Sequence, residues 1–226
     1  MSKEYDVEGA EGLAREALSM AISDAVPIYE RLVSSFPSAA KYWKQYAEAH
    51  MCMNNDDETK QIFNRCLLNC WHTPLWLCYI RFIRKLNDNK GLHPQEETLK
   101  AFEFTLSYLA PDISSGPLWI QYIAFLKSLP SLQDSQRITA LRKTFQRAIV
   151  IPSHHLEQLW RDYETFENSV SRALAKGLIS EYQPKYNSAR AVYRERKKFF
   201  DEIDWNMLAV PPSGSSKAIS CFLTTI

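Results

Sequence analysis

The chain has 226 residues, of which 46% are hydrophobic and 12% aromatic, with only 6 Gly. Bulky apolar side chains at that density exclude intrinsic disorder outside the ends. Lys and Arg number 27 against 26 Asp and Glu, a formal net charge of +1, which excludes a global field able to hold a nucleic-acid backbone and leaves any such contact local.

The first residues, MSKEYDVEGAEG, lack the apolar core of a secretory signal, and no apolar run approaches the ~20 residues of a membrane span. Five cysteines, an odd number without framework spacing, suit a reducing compartment. An intracellular soluble protein is expected. The stretch Val7 to Met20 reads as a weakly amphipathic helix without Trp, the form of a degenerate first member of a stack, so residues 1–23 are taken as an N-terminal capping region. Ser23 and Asp24 are candidate caps for a second helix carrying Tyr29, Leu32, Val33 and Phe36, which stops at Phe36-Pro37.

Ser38 opens a helix bearing Trp43, Tyr46 and Ala49. The polar run from Asn54 to Glu58 then turns the chain and sets Asp56 and Asp57 at the positive end of a helix carrying Phe63, Cys66, Leu67 and Cys70. Thr73 and Pro74 start the next helix, with Trp76, Tyr79 and Phe82, which runs to the NDNKG turn at Asn87 to Gly91. Its partner carries Phe102, Thr105, Leu106 and Leu109, with Glu96 and Glu97 expected in the first turn. Pro111 and the SSGP segment at Ser114 to Pro117 precede Trp119, Tyr122 and Phe125. The loop Ser128 to Ser135 leads to a helix with Phe145, Ala148 and Ile149 that ends before Pro152. Last come Trp160 and Tyr163 in WRDYETFE, an extra helix or continuation over SVSRALAKGLISEY, and a strong helix from Asn187 to Asp201 beyond Pro184. Residues 205–226, with AVPPSGSSK and AISCFLTTI, read as a linker-like, divergent tail.

The Trp positions recur at intervals of 33, 43 and 41 residues, and Tyr29, Phe63, Phe102 and Phe145 at 34, 39 and 43. Positions 0, +3 and +6 share about a third of a helix circumference, so each copy is one apolar face. The unit is therefore a helix pair, and the expected fold is all-α, an α-solenoid of about five pairs forming a single elongated domain over residues 24–204. Recurrence in every pair assigns the aromatic stripes to packing rather than to a ligand cage. By the same register Cys66 aligns with Leu32, Thr105 and Ala148, and Cys70 with Phe36 and Leu109. Their C-x-x-x-C-x-H spacing with His72 is thereby read as packing, not as a zinc site lacking its fourth ligand.

No catalytic constellation emerges. His154 and His155, at the start of the Trp160 helix, have no nucleophile supplied by a motif and read as surface residues. The acidic pairs Asp56, Asp57 and Glu96, Glu97 are explained by helix dipoles. With 6 Gly, neither a Walker loop nor a dinucleotide fingerprint can be written onto the chain. One cationic run remains, Lys185, Arg190, Arg194, Arg196, Lys197 and Lys198. It is a candidate contact for a partner or for RNA, set against the plainer reading of a solvated helix face.

The Trp-x-x-Tyr helices, the acids Glu48 and Glu167 late in two of them, and the F-x-R pattern of Phe63-Asn64-Arg65 and Phe145-Gln146-Arg147 resemble HAT, or half-a-TPR, repeats. FPSAAKYWKQYAEA, IFNRCLLNC, QRITALRKTFQRAIV and above all the wording from Glu157 to Lys198 resemble the N-terminal HAT half of the suppressor-of-forked family. That family is the large HAT-repeat subunit of cleavage stimulation factor, and the similarity spans about Ala25 to Pro212. It implies a nuclear, non-enzymatic scaffold without cofactor in pre-mRNA cleavage and polyadenylation. Implied partners are the RNA-binding RRM subunit, the WD-repeat subunit and the polyadenylation specificity factor, with RNA contacted mainly through them. The family uses later repeats and a proline-rich tail for self-association; this sequence resembles a truncated form departing at about Ser213, in which homodimerisation is not expected. Two other readings stand beside it: a HAT scaffold of spliceosome assembly, and a prenyltransferase α-subunit. The latter would need W-x-x-R, whereas Tyr46, Tyr79, Tyr122 and Tyr163 hold the +3 position.

Overall fold

Ten α-helices are present among the described residues of this computed structural model, which are 6–87, 92–129, 134–203 and 207–208, and no strand occurs among them. They are α1 (Val7–Ala17), α2 (Ile22–Ser35), α3 (Ala40–Cys52), α4 (Asp56–Cys66), α5 (Thr73–Asn87), α6 (Leu92–Leu109), α7 (Gly116–Ser128), α8 (Asp134–Ala148), α9 (Leu156–Val170) and α10 (Arg172–Phe200). Each odd-numbered helix packs against the even-numbered helix that follows it, giving five hairpins, the all-α repeat architecture that the aromatic periodicity implies. The residues group into two compact units, one holding residues 1–70 with the described residues beyond 204, the other residues 71–204. In the first unit α2 packs on α3; in the second α6 packs on α7 and α8 on α9.

The first helix of each hairpin turns inward one face spaced 0, +3, +4 and +7, buried at all four positions in α3 and in α7, where they are Trp119, Tyr122, Ile123 and Leu126. The second buries the face led by Tyr29, Phe63 or Phe145, and Phe102 is buried at the same place in α6. A lone hairpin can bury too little surface to be stable, so these faces gain their burial from the neighbouring helices.

Helix starts differ from the sequence expectation in several places. α1 is capped by Asp6, whose Oδ1 accepts the Gly9 amide hydrogen at 3.0 Å. α2 begins at Ile22, so Ser23 and Asp24 lie inside its first turn. The Ala21 carbonyl, on extended backbone, accepts from the amides of Asp24 and Ala25 instead. α6 begins at Leu92, which places Glu96 and Glu97 beyond its first turn, whereas Asp56 and Asp57 do occupy the first turn of α4. Ser115 stands at the N-cap of α7 but turns its hydroxyl to the Ala110 carbonyl at 3.1 Å. Asn54, at φ 57°, makes the turn between α3 and α4, a conformation its short polar side chain tolerates.

The largest correction concerns Pro184, which does not separate two helices: α10 runs 29 residues straight through it. Ser180, whose carbonyl loses its intrahelical partner, and Pro184 are both exposed, so water can serve that carbonyl. On the other side the helix is clamped to α9. Tyr182 meets Tyr163 at 6.1 Å and Tyr186 stacks on Trp160 at 4.5 Å, either side of the proline. The tail expected at 205–226 lies outside the described residues apart from Met207 and Leu208, as do residues 88–91 of the NDNKG turn and residues 130–133 of the loop before α8. No helix among the described residues is long and apolar enough to cross a membrane.

Candidate functional site

The recurring aromatic positions are organised around an ionic socket that appears twice. In the first unit Glu30, the residue after Tyr29 on α2, receives Arg65 of α4 through two parallel bonds, 2.6 Å from Nη1 and 2.8 Å from Nη2. The Tyr46 hydroxyl donates to the same carboxylate at 2.9 Å. Arg65 lies over the Trp43 ring at 5.0 Å, and Tyr29 stacks on Tyr46 at 5.1 Å. One carboxylate thus ties the end of one hairpin to both helices of the next.

The second unit repeats this arrangement position for position. Glu103, after Phe102, accepts from Arg147 at 2.7 and 3.0 Å and from the Tyr122 hydroxyl at 2.9 Å. Arg147 lies over Trp119 at 5.3 Å, and Phe102 stacks on Tyr122 at 4.9 Å. Arg65 satisfies both partners because its planar fork matches a carboxylate while its face stacks on a ring; Arg147 covers its ring in the same way but reaches both carboxylate oxygens from Nη1 alone.

Titration follows from these contacts. The Arg65 hydrogen bond holds the Glu30 carboxyl below its usual range. Burial opposes the same effect at Glu103, but Arg147 and the Tyr122 hydroxyl outweigh it, so Glu103 is also held low. Desolvation and then the bond to Glu30 push the Tyr46 phenol up to about 12, and Tyr122 rises for the same reasons.

The other two Trp hairpins lack the ion pair, and they lack both halves of it. In register with Glu30 and Glu103 stand Asn64 and Gln146; Gln146 Nε2 donates to the Tyr163 hydroxyl at 3.3 Å. In register with Arg65 and Arg147, Phe104 replaces the cation over Trp76, with ring centroids 5.6 Å apart. Tyr186 takes the corresponding place over Trp160. Where the acid is an amide, the cation is an aromatic ring, so no unpaired charge is left at either position. α9 carries a separate buried pair: Glu167, 1% exposed, receives Arg142 of α8 through Nε at 2.7 Å and Nη2 at 2.8 Å.

Of the twelve aromatic positions picked out from the sequence, Trp43, Tyr46, Trp76, Trp119, Tyr122, Trp160, Tyr163, Tyr29, Phe63, Phe102 and Phe145 are buried, and Tyr79 is half-buried. The carboxylates Glu30 and Glu103 are absent from that set. Their signal is an acid directly after the leading aromatic of the helix before Trp43 and before Trp119, paired in sequence with an F-x-R downstream. Cys66 and Cys70 are buried, Cys70 donating to the Pro37 carbonyl at 3.3 Å, and desolvation pushes its thiol up to about 11. Among the described residues no group of three His, Cys, Asp or Glu side chains is placed to hold a metal ion.

The cationic run is spread around α10 rather than gathered on one face. Lys185 pairs with Glu181 at 3.5 Å, Arg190 with Glu157 at 2.8 Å, Lys197 with Asp201 at 3.9 Å and Lys198 with Glu195 at 3.1 Å. Arg196 donates to the Pro111 carbonyl at 3.4 Å, and Arg194 is exposed without a charged partner among the described residues. The histidines expected at the surface are half-buried instead. His154 packs edge-on against Tyr193 and Phe200, with Nδ1 3.1 Å from the Tyr193 hydroxyl, and His155 covers Gly116, where a Cβ would lie 2.5 Å from its Nδ1. The second half of α10 needs that aromatic and polar contact, because its own +3 and +4 positions after Tyr193 are Arg196 and Lys197.

Tandem helical hairpins locked by Trp, Tyr and a shared Arg–Glu pair define a HAT-type repeat protein. The family model described as suppressor of forked protein (Suf) matches residues 1–222, and the chain belongs to that family. The match runs on past Ser213. Over 220 residues the chain is 65% identical to cleavage stimulation factor subunit 77 of Arabidopsis thaliana, covering 96% of this chain and 30% of that protein. It is 32% identical over 212 residues to protein suppressor of forked of Drosophila melanogaster, covering 92% of this chain and 28% of the relative. With the mRNA 3′-end-processing protein rna14 of Schizosaccharomyces pombe it shares 35% over 170 residues, 74% and 23% of the two chains. The chain therefore spans less than a third of the length of these relatives. A crystal structure of CstF-77 superposes with a TM-score of 0.63 at 22% identity, over 73% of this chain and 35% of that one, and shares its fold.

Proposed function

We propose that this chain is a non-enzymatic protein-binding scaffold in nuclear pre-mRNA 3′-end cleavage and polyadenylation. The observation that carries the reading is the 65% identity to a cleavage stimulation factor subunit along nearly the whole chain. Its partners in this reading are the RRM and WD-repeat subunits of cleavage stimulation factor and the polyadenylation specificity factor, RNA being reached mainly through them. The sockets support a scaffold role, since their charged groups are spent on joining hairpins rather than converging on a substrate.

The cationic run of α10 is assigned to a protein contact rather than to RNA. Glu195 lies within the run and Glu181 and Asp201 flank it, each paired with one of its lysines, so much of its charge is already answered and unavailable to phosphates. The test is affinity purification of the tagged chain, and of a longer family member, from nuclear extract. Recovery of cleavage and polyadenylation factors is expected. Recovery of spliceosomal proteins in their place would transfer the chain to the other process, and recovery of neither would defeat the proposal.

A further inference from the structure

The two ionic sockets show what the first hairpin lacks. α1 repeats the buried spacing of the other first helices, Ala10, Leu13, Ala14 and Ala17 standing in register with Trp43, Tyr46, Ala47 and His50. α2 carries Tyr29, Glu30 and Arg31, so Arg31 is in register with Arg65 and Arg147. Alanine thus replaces the indole over which those guanidinium groups lie, while the arginine is kept.

A cavity of about 370 Å³ occupies this place, lined among others by Ala10, Leu13, Arg31, Leu32, Ser35 and Phe36. Arg31 is exposed and has neither carboxylate nor ring partner among the described residues. Asp6 reaches the rim, but its carboxylate is engaged by the Gly9 amide. In the two ionic sockets the arginine is satisfied by a carboxylate brought from the second helix of the preceding hairpin, next to an aromatic residue, Tyr29-Glu30 or Phe102-Glu103.

We propose that the cavity between α1 and α2 is a docking socket for a partner protein's helix bearing an aromatic residue followed by glutamate. The ring fills the space over Ala10 and Leu13, and the carboxylate pairs with Arg31. Charge and shape both favour this occupant: the guanidinium at the rim is complementary to an acid, and the apolar floor beside it to a ring or an equally bulky side chain. The chemistry of the socket does not depend on which nuclear process the chain serves.

The probe is a 15-residue peptide copying Gln95–Leu109, which carries Phe102-Glu103, titrated into the full chain while backbone amide resonances are followed. Saturable shifts centred on Ala10, Leu13 and Arg31 are expected. Binding should weaken at least tenfold with a Glu103→Gln peptide, with Arg31→Glu in the chain, and with Ala10→Trp, which fills the cavity from within. The exposed Arg31 variant decides the matter should Ala10→Trp fail to fold. Absence of saturable shifts at millimolar peptide, shifts centred elsewhere, or full binding by Arg31→Glu would overturn the proposal. So would an octauridine that shifts the same amides at lower concentration than the peptide.

Discussion

At the scale of single residues, the arginine of F-x-R does two jobs at once, and the distinction from lysine is testable. Arg65 holds both oxygens of Glu30 and covers the Trp43 ring. A lysine could keep the charge but not the fork or the flat stack. Both side chains are about two-fifths exposed, so the pair is screened and its worth is modest. Arg65→Lys is expected to lower stability by about 1 kcal/mol, and Arg147→Lys, which loses the ring stack but no fork, by less, read from urea midpoints. Equal midpoints for wild type and Arg65→Lys would mean the fork is decorative. Glu167 is a different case, because it is buried and Arg142 is its charged partner. Arg142→Ala leaves a carboxylate without its cation in the interior and should cost about 3–5 kcal/mol, whereas Arg142→Leu combined with Glu167→Leu should recover most of that loss. The register supports the second outcome, since Leu126 occupies the Glu167 position in α7.

At the scale of helices and hairpins, most elements are legible because every first helix after α1 carries the same Trp-x-x-Tyr face and the second helices α2, α4, α6 and α8 each carry a leading aromatic. Periodicity reports faces, not ends. The start of α2 is hidden because Ala21 caps it through the backbone alone, and that of α6 because Lys90 and Gly91, the two residues before Leu92, offer no side-chain acceptor of the Asp6 kind. Pro184 argues in sequence for a break in α10. What overrides it is tertiary: Tyr182 and Tyr186 are fastened to α9 on either side of the proline. Pro184→Ala would restore one backbone hydrogen bond on the exposed side and is expected to stabilise the chain by about 1–3 kcal/mol, measured as a higher melting temperature. The sockets are half legible. Trp43, Tyr46, Arg65 and their counterparts stand out, but Glu30 and Glu103 act on the next hairpin, and with a partner 35 or 44 residues away their one local trace is the leading aromatic before them. Trp119→Ala tests the element-level packing: with the ring 1% exposed, loss of about 3–5 kcal/mol is expected, against a small effect for the exposed Trp71→Ala.

For the whole molecule, the same contacts set how stability depends on pH, and the sign can be worked out group by group. His50, His72 and His154 are all held below the ordinary histidine value of 6.5, desolvation being the first cause in each. For His154 the carboxylates Asp201 and Asp112 pull the other way, while His155 and Lys197 reinforce the burial; the Tyr193 hydroxyl and the Phe200 ring complete its surroundings. The folded chain therefore binds fewer protons at these sites than the unfolded chain does between the two values. Their contribution is present above pH 6.5 and is lost as pH falls through the lower folded values. Glu30 and Glu103, also depressed, add a second loss that begins near their ordinary value of 4.5 and deepens below it. On the alkaline side Tyr46 is raised from 10.0 to about 12, so its contribution holds below pH 10 and disappears as pH climbs toward 12. Thermal melts should accordingly show a plateau from about pH 7 to 9, a decline on acidification through about 6, and a steeper one below about 4.5. His154→Gln should make the first decline shallower by its share, the contributions of His50 and His72 remaining, and leave the second, while Glu30→Gln with Glu103→Gln should remove part of the second and leave the first. A melting temperature that stays level from about pH 7.5 to 5 in the wild-type chain would show that the three histidines titrate as they would in water, and that the burial drawn for them is wrong.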